Sequence, residues 1–402
     1  MEQVKTSKIE RNAKPQGAPD GTAKGVQPGG DADQRQQVTA SQVSAVSPKA
    51  EYSLSGGLLQ RLHKMNAALS FTSYQSGFLY MLGSNAQGKA QLHQSGMPKP
   101  MGLCADGKGR LVLSAGAQII RLENVLEPDQ RINQTYDACF MPRAQYVTGQ
   151  LDAHDVGVDA DGGIVFVNTR YNCLARPSGR HSFKPVWKPD FISDIVDEDR
   201  CHLNGLAMRD GKAAFVTAVS RSDTIDGWRD RRADGGVVID VESNTVVCEG
   251  LSMPHSPRWH DGQLWVLNSG TGELGIVELP KGPKGKSATM GTFKPVAFCP
   301  GFVRGLAFYG KFAFVGLSRP RYKRFEGLAL DQKLKDADSE PWCGVQVIDT
   351  TTGACVDWFR IDGKIGELYD VELVTGFRCP MTVSPNSPDA ATLITFDQLE
   401  AG

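Results

Sequence analysis

HLNGLAMRDGKAAFVT, residues 202–217, decides the fold. Two short runs of β-branched, aromatic and small apolar residues flank an Asp-Gly pair, the pattern of two antiparallel strands joined by a tight turn. The unit recurs as MGLCADGKGRLVLSA from Met101, HDVGVDADGGIVFVN from His154, HSPRWHDGQLWVLN from His255, FVRGLAFYGKFAFVG from Phe302 and ELYDVELVTG from Glu367. Copies start roughly fifty to sixty residues apart, enough for one four-stranded blade with its loops. In the copy from His202 the strands fall near 202–208, 213–219, 236–240 and 245–249. Six copies predict an all-β, six-bladed β-propeller.

The sixth copy has no hairpin partner after it. Its missing strands come from the block at 68–94, so the last blade combines both chain ends and the ring closes without exposed edges. The resulting organisation is a disordered segment at 1–50, a short helical lead-in at 51–67, the propeller at 68–380 and a C-terminal tail at 381–402. The first 50 residues hold too few large apolar side chains to offset the entropy of ordering. Leu58, Leu59, Leu62 and Met65 recur with a helical period.

Composition narrows the function. The chain is 40 % hydrophobic and 22 % charged, and 44 basic against 45 acidic residues leave a net charge of -1. That balance gives no global drive toward nucleic acid or an anionic membrane. The N-terminus lacks the apolar core of a signal peptide, and no later run approaches the ~20 apolar residues of a membrane span. Nine cysteines, scattered and without a CxxC pair, read as reduced, packed thiols of a cytoplasmic protein.

The first strand of each blade lines the central channel, so equivalent repeat positions form rings around the axis. Taking Gly102, Gly157, Gly205, Arg258, Gly305 and Asp370 as equivalent, the position three residues earlier is Lys99, His154, His202, His255, Phe302 and Glu367. Three imidazoles on successive blades then face a carboxylate. Two positions further along lie Met101, Val156, Asn204, Pro257, Arg304 and Tyr369, which adds a second polar layer. Three neutral imidazoles with open positions are how a catalytic metal centre is built, so His154, His202 and His255 are expected to hold one divalent transition metal: Zn, Fe, Mn or Cu. Tyr369 and Glu367 are the candidates for moving a proton, and Arg304 and Asn204 for orienting the substrate.

Long insertions before and within the blades carry arginines over this face. Arg170, Arg221, Arg319 and Arg321, with Lys99, are candidates for holding an anionic small molecule or peptide. Pairing of loop arginines with Asp223, Asp226, Asp230 and Glu326 is the competing expectation. SGTGELG at 269–275 lacks the helix a phosphate loop needs and reads as a hairpin turn. Cys201 alternates away from the channel and reads as packed.

The segments DRCHLNGLA, MPHSPRWHDGQLWVLNSGTGELG, GFVRGLAFYGKFAFVGLSRPR and ELYDVEL resemble a family of uncharacterised, mainly bacterial proteins expected to be propellers. The resemblance spans about residues 68 to 380, supports the fold and implies no reaction. In residue type, His154, His202, His255, Tyr369 and Arg304 are similar to the zinc-site constellation of peptidyl-alpha-hydroxyglycine alpha-amidating lyase, on differently spaced blades. Oligogalacturonate lyase and carotenoid oxygenases likewise have histidine-rich propeller channels. The expected function is a metal-dependent enzyme, a lyase acting on an anionic or carbonyl-bearing substrate. An iron or copper oxygenase or other oxidoreductase with the same ligands is the alternative within enzymes. A non-catalytic binding platform, with arginine loops docking a protein, is the alternative outside them.

Overall fold

Alternating side chains in each repeat give every strand two buried faces, one against each neighbouring blade, and six antiparallel sheets result. They are seen in a computed structural model that describes residues 50–279, 290–320 and 325–397. The inner strands are Pro100–Ala105, Ala153–Val158, Leu203–Arg209, Pro254–His260, Phe302–Tyr309 and Val371–Thr375, here blades 1 to 6. In blades 1 to 5 the next three strands follow outward in sequence order. Phe166, Phe215 and Phe314, from the second strands of blades 2, 3 and 5, are fully buried between blades. Each contributes about 1.5–3 kcal/mol by leaving water.

Closure is as the sequence predicts. Val371–Thr375 pairs antiparallel with Ala67–Ser73, register Ala67 to Thr375 through Phe71 to Val371, and Phe78–Ser84 and Ala90–Gly96 complete blade 6. The ends do more than close the ring. Ala50–Leu54, expected within a helical lead-in, is a strand on the outer edge of blade 5, paired Ala50 to Gly363 through Leu54 to Phe359. The helix is confined to Leu58–Met65, burying Leu58, Leu62 and Met65 and stopping at Asn66 in the left-handed conformation (φ 49°). On the other side, Pro380–Thr382 adds a parallel strand to blade 1, so the tail expected from residue 381 begins inside the sheet. Both flanking blades thus have their outer edges covered. The expected disordered segment, except Ala50, lies outside the described residues.

One hydrogen bond at each seam holds the blades in phase. Thr72 donates to Met101 O (2.6 Å), Ser114 to Ala153 O (2.8 Å) and Thr169 to Leu203 O (2.6 Å). Asn204 Nδ2 donates to Pro254 O (3.0 Å), Ser269 to Val303 O (2.6 Å) and Ser318 to Leu368 O (3.0 Å). In every case the donor belongs to one blade and the carbonyl to the entry of the next blade's inner strand. These bonds give buried carbonyls at the channel entry a side-chain donor.

Deeper in the channel the blades meet at backbone distance. A Cβ on Gly205 would stand 2.3 Å from Pro257 Cδ, and one on Gly305, whose φ is +77°, 2.4 Å from Val371 N. Only glycine fits such an approach. Blade 4 has Arg258 at the corresponding motif position, and its guanidinium crosses the channel instead. It donates to Asp155 Oδ2 (2.8 Å), Leu206 O (3.0 Å), Leu306 O (3.1 Å) and Pro257 O (2.9 Å), and stands 3.6 Å from Asp370 Oδ1. Asp370 in turn accepts from Leu103 N (2.8 Å), and Asp155 from Leu206 N (2.9 Å). Through these contacts all six blades are tied together beneath the mouth.

All nine cysteines are free thiols. Among the described residues no helix is long and apolar enough to cross a membrane.

Candidate functional site

The seam carbonyls give the depth of each inner strand in the channel. The residue after each acceptor is Gly102, His154, Asn204, His255, Arg304 or Tyr369, and these form one ring. The residue before each acceptor gives the ring above it at the mouth: Pro100, Asp152, His202, Met253, Phe302 and Glu367. Backbone conformation supports this register. Asp152, His202 and Met253 share a left-handed φ of 52°, 51° and 47°, and His154 and His255 bond alike to the carbonyl two residues back.

The glycine alignment placed His154, His202 and His255 on one ring; the structure places His202 a step above the other two. The motif column does not mark a constant depth: register shifts recur between Leu203 and Gly205 and between His255 and Arg258, yet the histidine precedes the ring in one blade and lies on it in the other. Gly157 and Arg258 therefore lie three residues past the ring and Gly205 and Gly305 one residue past it. The second polar layer expected from Asn204, Arg304 and Tyr369 is the same ring that carries His154 and His255.

The side chains converge. His154 lies edge-on to His202 with ring centroids 4.9 Å apart, and edge-on to Tyr369 at 5.7 Å. The Arg304 guanidinium stacks over Tyr369 at 5.3 Å and Phe302 at 4.9 Å. His255 packs against Phe302 at 5.5 Å. Each histidine has its Nδ1 engaged: His154 with Asp152 O (2.6 Å), His202 with Asp199 Oδ2 (2.6 Å), His255 with Met253 O (2.8 Å) and Ser269 Oγ (2.9 Å). Carbonyls and carboxylates only accept, so Nδ1 carries a proton on each ring, and the Nε2 lone pair is left free on His154 and His255.

Electrostatics keep the ring residues in defined states. Burial, with His202 next, pushes His154 down to about 4, and burial followed by Arg304 holds His255 well below the usual imidazole range. Burial keeps Tyr369 well above the usual phenol range against the pull of Arg304, so its hydroxyl stays protonated. His255 Nε2, Asn204 Oδ1, Arg304 Nε and Tyr369 OH are buried without a hydrogen-bond partner among the described residues. Orphaned polar atoms of this number in one ring are the mark of a ligand site rather than of a packed core.

The insertions build the wall. Trp228, from the loop between the second and third strands of blade 3, stacks on His202 at 4.1 Å. It packs with Met253, Phe302, Phe325, Leu330 and Leu334 into an apolar cluster on that side of the mouth. On the opposite side two cavities open. One of about 590 Å³ is lined by Lys99, Met101, Gln150, Asp152, Arg170 and Asp199, and one of about 600 Å³ by Tyr74, Gln75, Arg319, Lys364 and Glu367.

The expected substrate-binding cations mostly have partners. Lys99 pairs with Asp152 at 3.1 Å, and Arg170 makes a two-pronged pair with Asp197. Arg319 donates to Gly363 O (2.6 Å) and Ile365 O (2.8 Å), bracing the loop rather than reaching the ring. Arg221 stands 3.9 Å from Glu249 on the outermost strand of blade 3, away from the ring. Arg321 lies outside the described residues. Glu367 Oε2 accepts from Ser73 Oγ and Gln75 N, both at 3.3 Å. Cys201 is buried beside Asn172 and burial pushes its thiol up, as a packed cysteine requires.

Sequence reasoning missed Asp199, Trp228 and Ser269. Asp199 and Trp228 sit in insertions without periodicity, and Ser269 opens the stretch read as a plain turn although it supports His255 and stitches blade 4 to blade 5. Among the described residues no three His, Cys, Asp or Glu side chains stand close enough to share a metal ion. The donor chemistry of the three histidines suits a metal, but their placement on two levels does not bring them to one point.

No curated protein matches the chain. Several solved structures do. A nidogen/laminin complex aligns at 13 % identity over 77 % of this chain and 99 % of that one, with a TM-score of 0.46. A gluconolactonase from Xanthomonas campestris aligns at 14 % identity over 74 % and 86 %, with a TM-score of 0.42. Virginiamycin B lyase from Staphylococcus aureus aligns at 11 % identity over 79 % and 100 %, with a TM-score of 0.38. A family model matches residues 56–383, and the chain therefore belongs to the family described as a domain of unknown function, DUF4915.

Proposed function

We propose that the ring and mouth form the active site of a lyase acting on a small anionic molecule. One observation carries the reading: Arg304, on the channel ring, has aromatic faces but no carboxylate beside it among the described residues, while neutral imidazoles stand near it. A half-buried guanidinium without an acceptor costs free energy unless a ligand supplies one. A carboxylate held by Arg304 and the Tyr369 hydroxyl places its adjacent carbon toward His154. The C–H bond there breaks with the proton passing to His154 Nε2. Arg304 and Tyr369 meet the negative charge that develops on oxygen, and the electron pair forms the double bond as the leaving group departs with its own pair. Glu367, bound to Ser73 and Gln75, has no part in this step. The test is a turnover screen of small carboxylates with the wild type, Arg304→Met and Tyr369→Phe. Losses no greater than about threefold in both variants would remove the assignment.

A second reading is favoured by a separate observation. Acceptors fix Nδ1 of His154, His202 and His255, the outer contact that metal-ligating imidazoles make. In this reading His154, His202 and His255 would hold one Zn, Fe, Mn or Cu ion, which would supply Lewis-acid or redox chemistry. Metal analysis decides it. Less than about a tenth of an equivalent in the wild type after growth with added metals would end this reading.

A further inference from the structure

The ring is divided by hydrogen-bonding sense. Asn204 Nδ2 donates to Pro254 O at 3.0 Å, which fixes Oδ1 as the atom that faces the channel side, an acceptor only. His255 Nδ1 donates to Met253 O at 2.8 Å, so Nε2 is a bare acceptor as well. Both side chains are more than nine-tenths buried, and both of these atoms lack a partner among the described residues. The next two positions hold the opposite sense. Arg304 has donors only, and the Tyr369 hydroxyl, unpartnered too, completes that half. Acceptors thus occupy blades 3 and 4, next to His154 Nε2 on blade 2, and groups able to donate occupy blades 5 and 6.

A simple carboxylate answers only half of this ring. Seated on Arg304 and Tyr369, it would leave Asn204 Oδ1 and His255 Nε2 facing apolar carbon. Each buried, unanswered acceptor carries a desolvation cost of about 1–3 kcal/mol. An O–H or N–H group on the neighbouring carbon removes that mismatch, because the two halves of the ring are adjacent.

We infer that the substrate is a small carboxylate bearing a hydroxyl or amino donor on the carbon next to the carboxylate, its anionic end on blades 5 and 6 and its donor on blades 3 and 4. The assignment rests on the anion reading of Arg304 and adds the second recognition element. A site built to bond a substrate donor discriminates strongly against the analogue that lacks it.

Calorimetric titration of the full chain with butyrate, 2-hydroxybutyrate and 2-aminobutyrate tests both layers, and its two substituted arms distinguish hydroxyl from amine. The better substituted acid is expected to bind at least about tenfold more tightly than butyrate. Arg304→Met should weaken all three, and Asn204→Leu should narrow the difference between the better substituted acid and butyrate. The wild-type comparison stands even if a variant fails to fold. Equal, Arg304-dependent binding of butyrate and both substituted acids would overturn this inference and leave the anion site intact. Binding indifferent to Arg304→Met, or no binding of any of the three up to about 50 mM, would overturn both.

Discussion

Asp199 Oδ2 accepts a 2.6 Å hydrogen bond from His202 Nδ1, and His202 makes it from a left-handed backbone, φ 51°. His154 and His255 lean on backbone carbonyls two residues back, His255 with Ser269 Oγ beside it, whereas His202 is oriented by a carboxylate. In Asp199→Ala the His202 ring should lose its preference for a proton on Nδ1, read from side-chain nitrogen shifts of histidine-labelled protein. His154 should keep its own tautomer. No change at His202 would show that Asp199 does not set its orientation.

The backbone of His202 gives a second expectation. A left-handed residue with a Cβ is strained by about 1 kcal/mol relative to glycine. His202→Gly should therefore unfold at about 1 kcal/mol higher free energy than His202→Ala in urea titrations. Equal stability would mean that the backbone relaxes out of this conformation when the imidazole is removed.

Arg258 links Asp155 and Asp370 across the channel at 2.8 and 3.6 Å. Arg258→Met leaves two buried carboxylates without their cation, and removing one partner of such a group costs about 3–5 kcal/mol. Urea unfolding should register a loss of that size, with a further Asp155→Asn change recovering part of it. A loss under about 1 kcal/mol would mean that water reaches these groups and the channel floor is open.

Glu372, on the inner strand of blade 6, accepts from Leu373 N at 2.8 Å, and burial pushes its carboxyl up from 4.5 to about 7. The folded state then holds a proton that the unfolded state has released. Its contribution to stability is present below about pH 4.5 and lost as pH rises to about 7. Glu372→Gln should gain more stability at pH 8 than at pH 5, compared with the wild type at each pH. A gain independent of pH would place the Glu372 carboxyl in the ordinary range.

Removing residues 1–96 strips three of the four strands of blade 6 and bares both neighbouring seams. The remainder is expected to aggregate or unfold without cooperativity. Removing residues 1–66 takes the helix and one edge strand but spares the blade, and should leave a folded ring of lower melting temperature. A soluble, cooperative 97–402 fragment would contradict closure by both chain ends.

Fold and closure were legible because each blade repeats a hairpin whose turn and apolar alternation are local. The members of the site were legible as residue types, since His154, His255, Asn204 and Arg304 fall on inner strands and Tyr369 just before one. Their depth was not. The glycine column is two residues out of step with depth between blades 2 and 4 on one hand and blades 3 and 5 on the other, and no residue type in the sequence marks that offset. Contacts across blades are equally silent: Arg258 and Asp155 are 103 residues apart, and nothing between them reports the pairing.

The six seam bonds run in one direction around the ring, yet they span 29, 39, 34, 50, 34 and 50 residues of chain. The bond at each seam is therefore indifferent to the length of what lies between its partners. Outer strands and loops are free to lengthen, shorten or diverge, whereas a single residue gained inside an inner strand has no free end to slide toward. Chains of this architecture are expected to vary in their periphery, where ligand size is decided, while the six inward-facing positions keep the same spacing from one another.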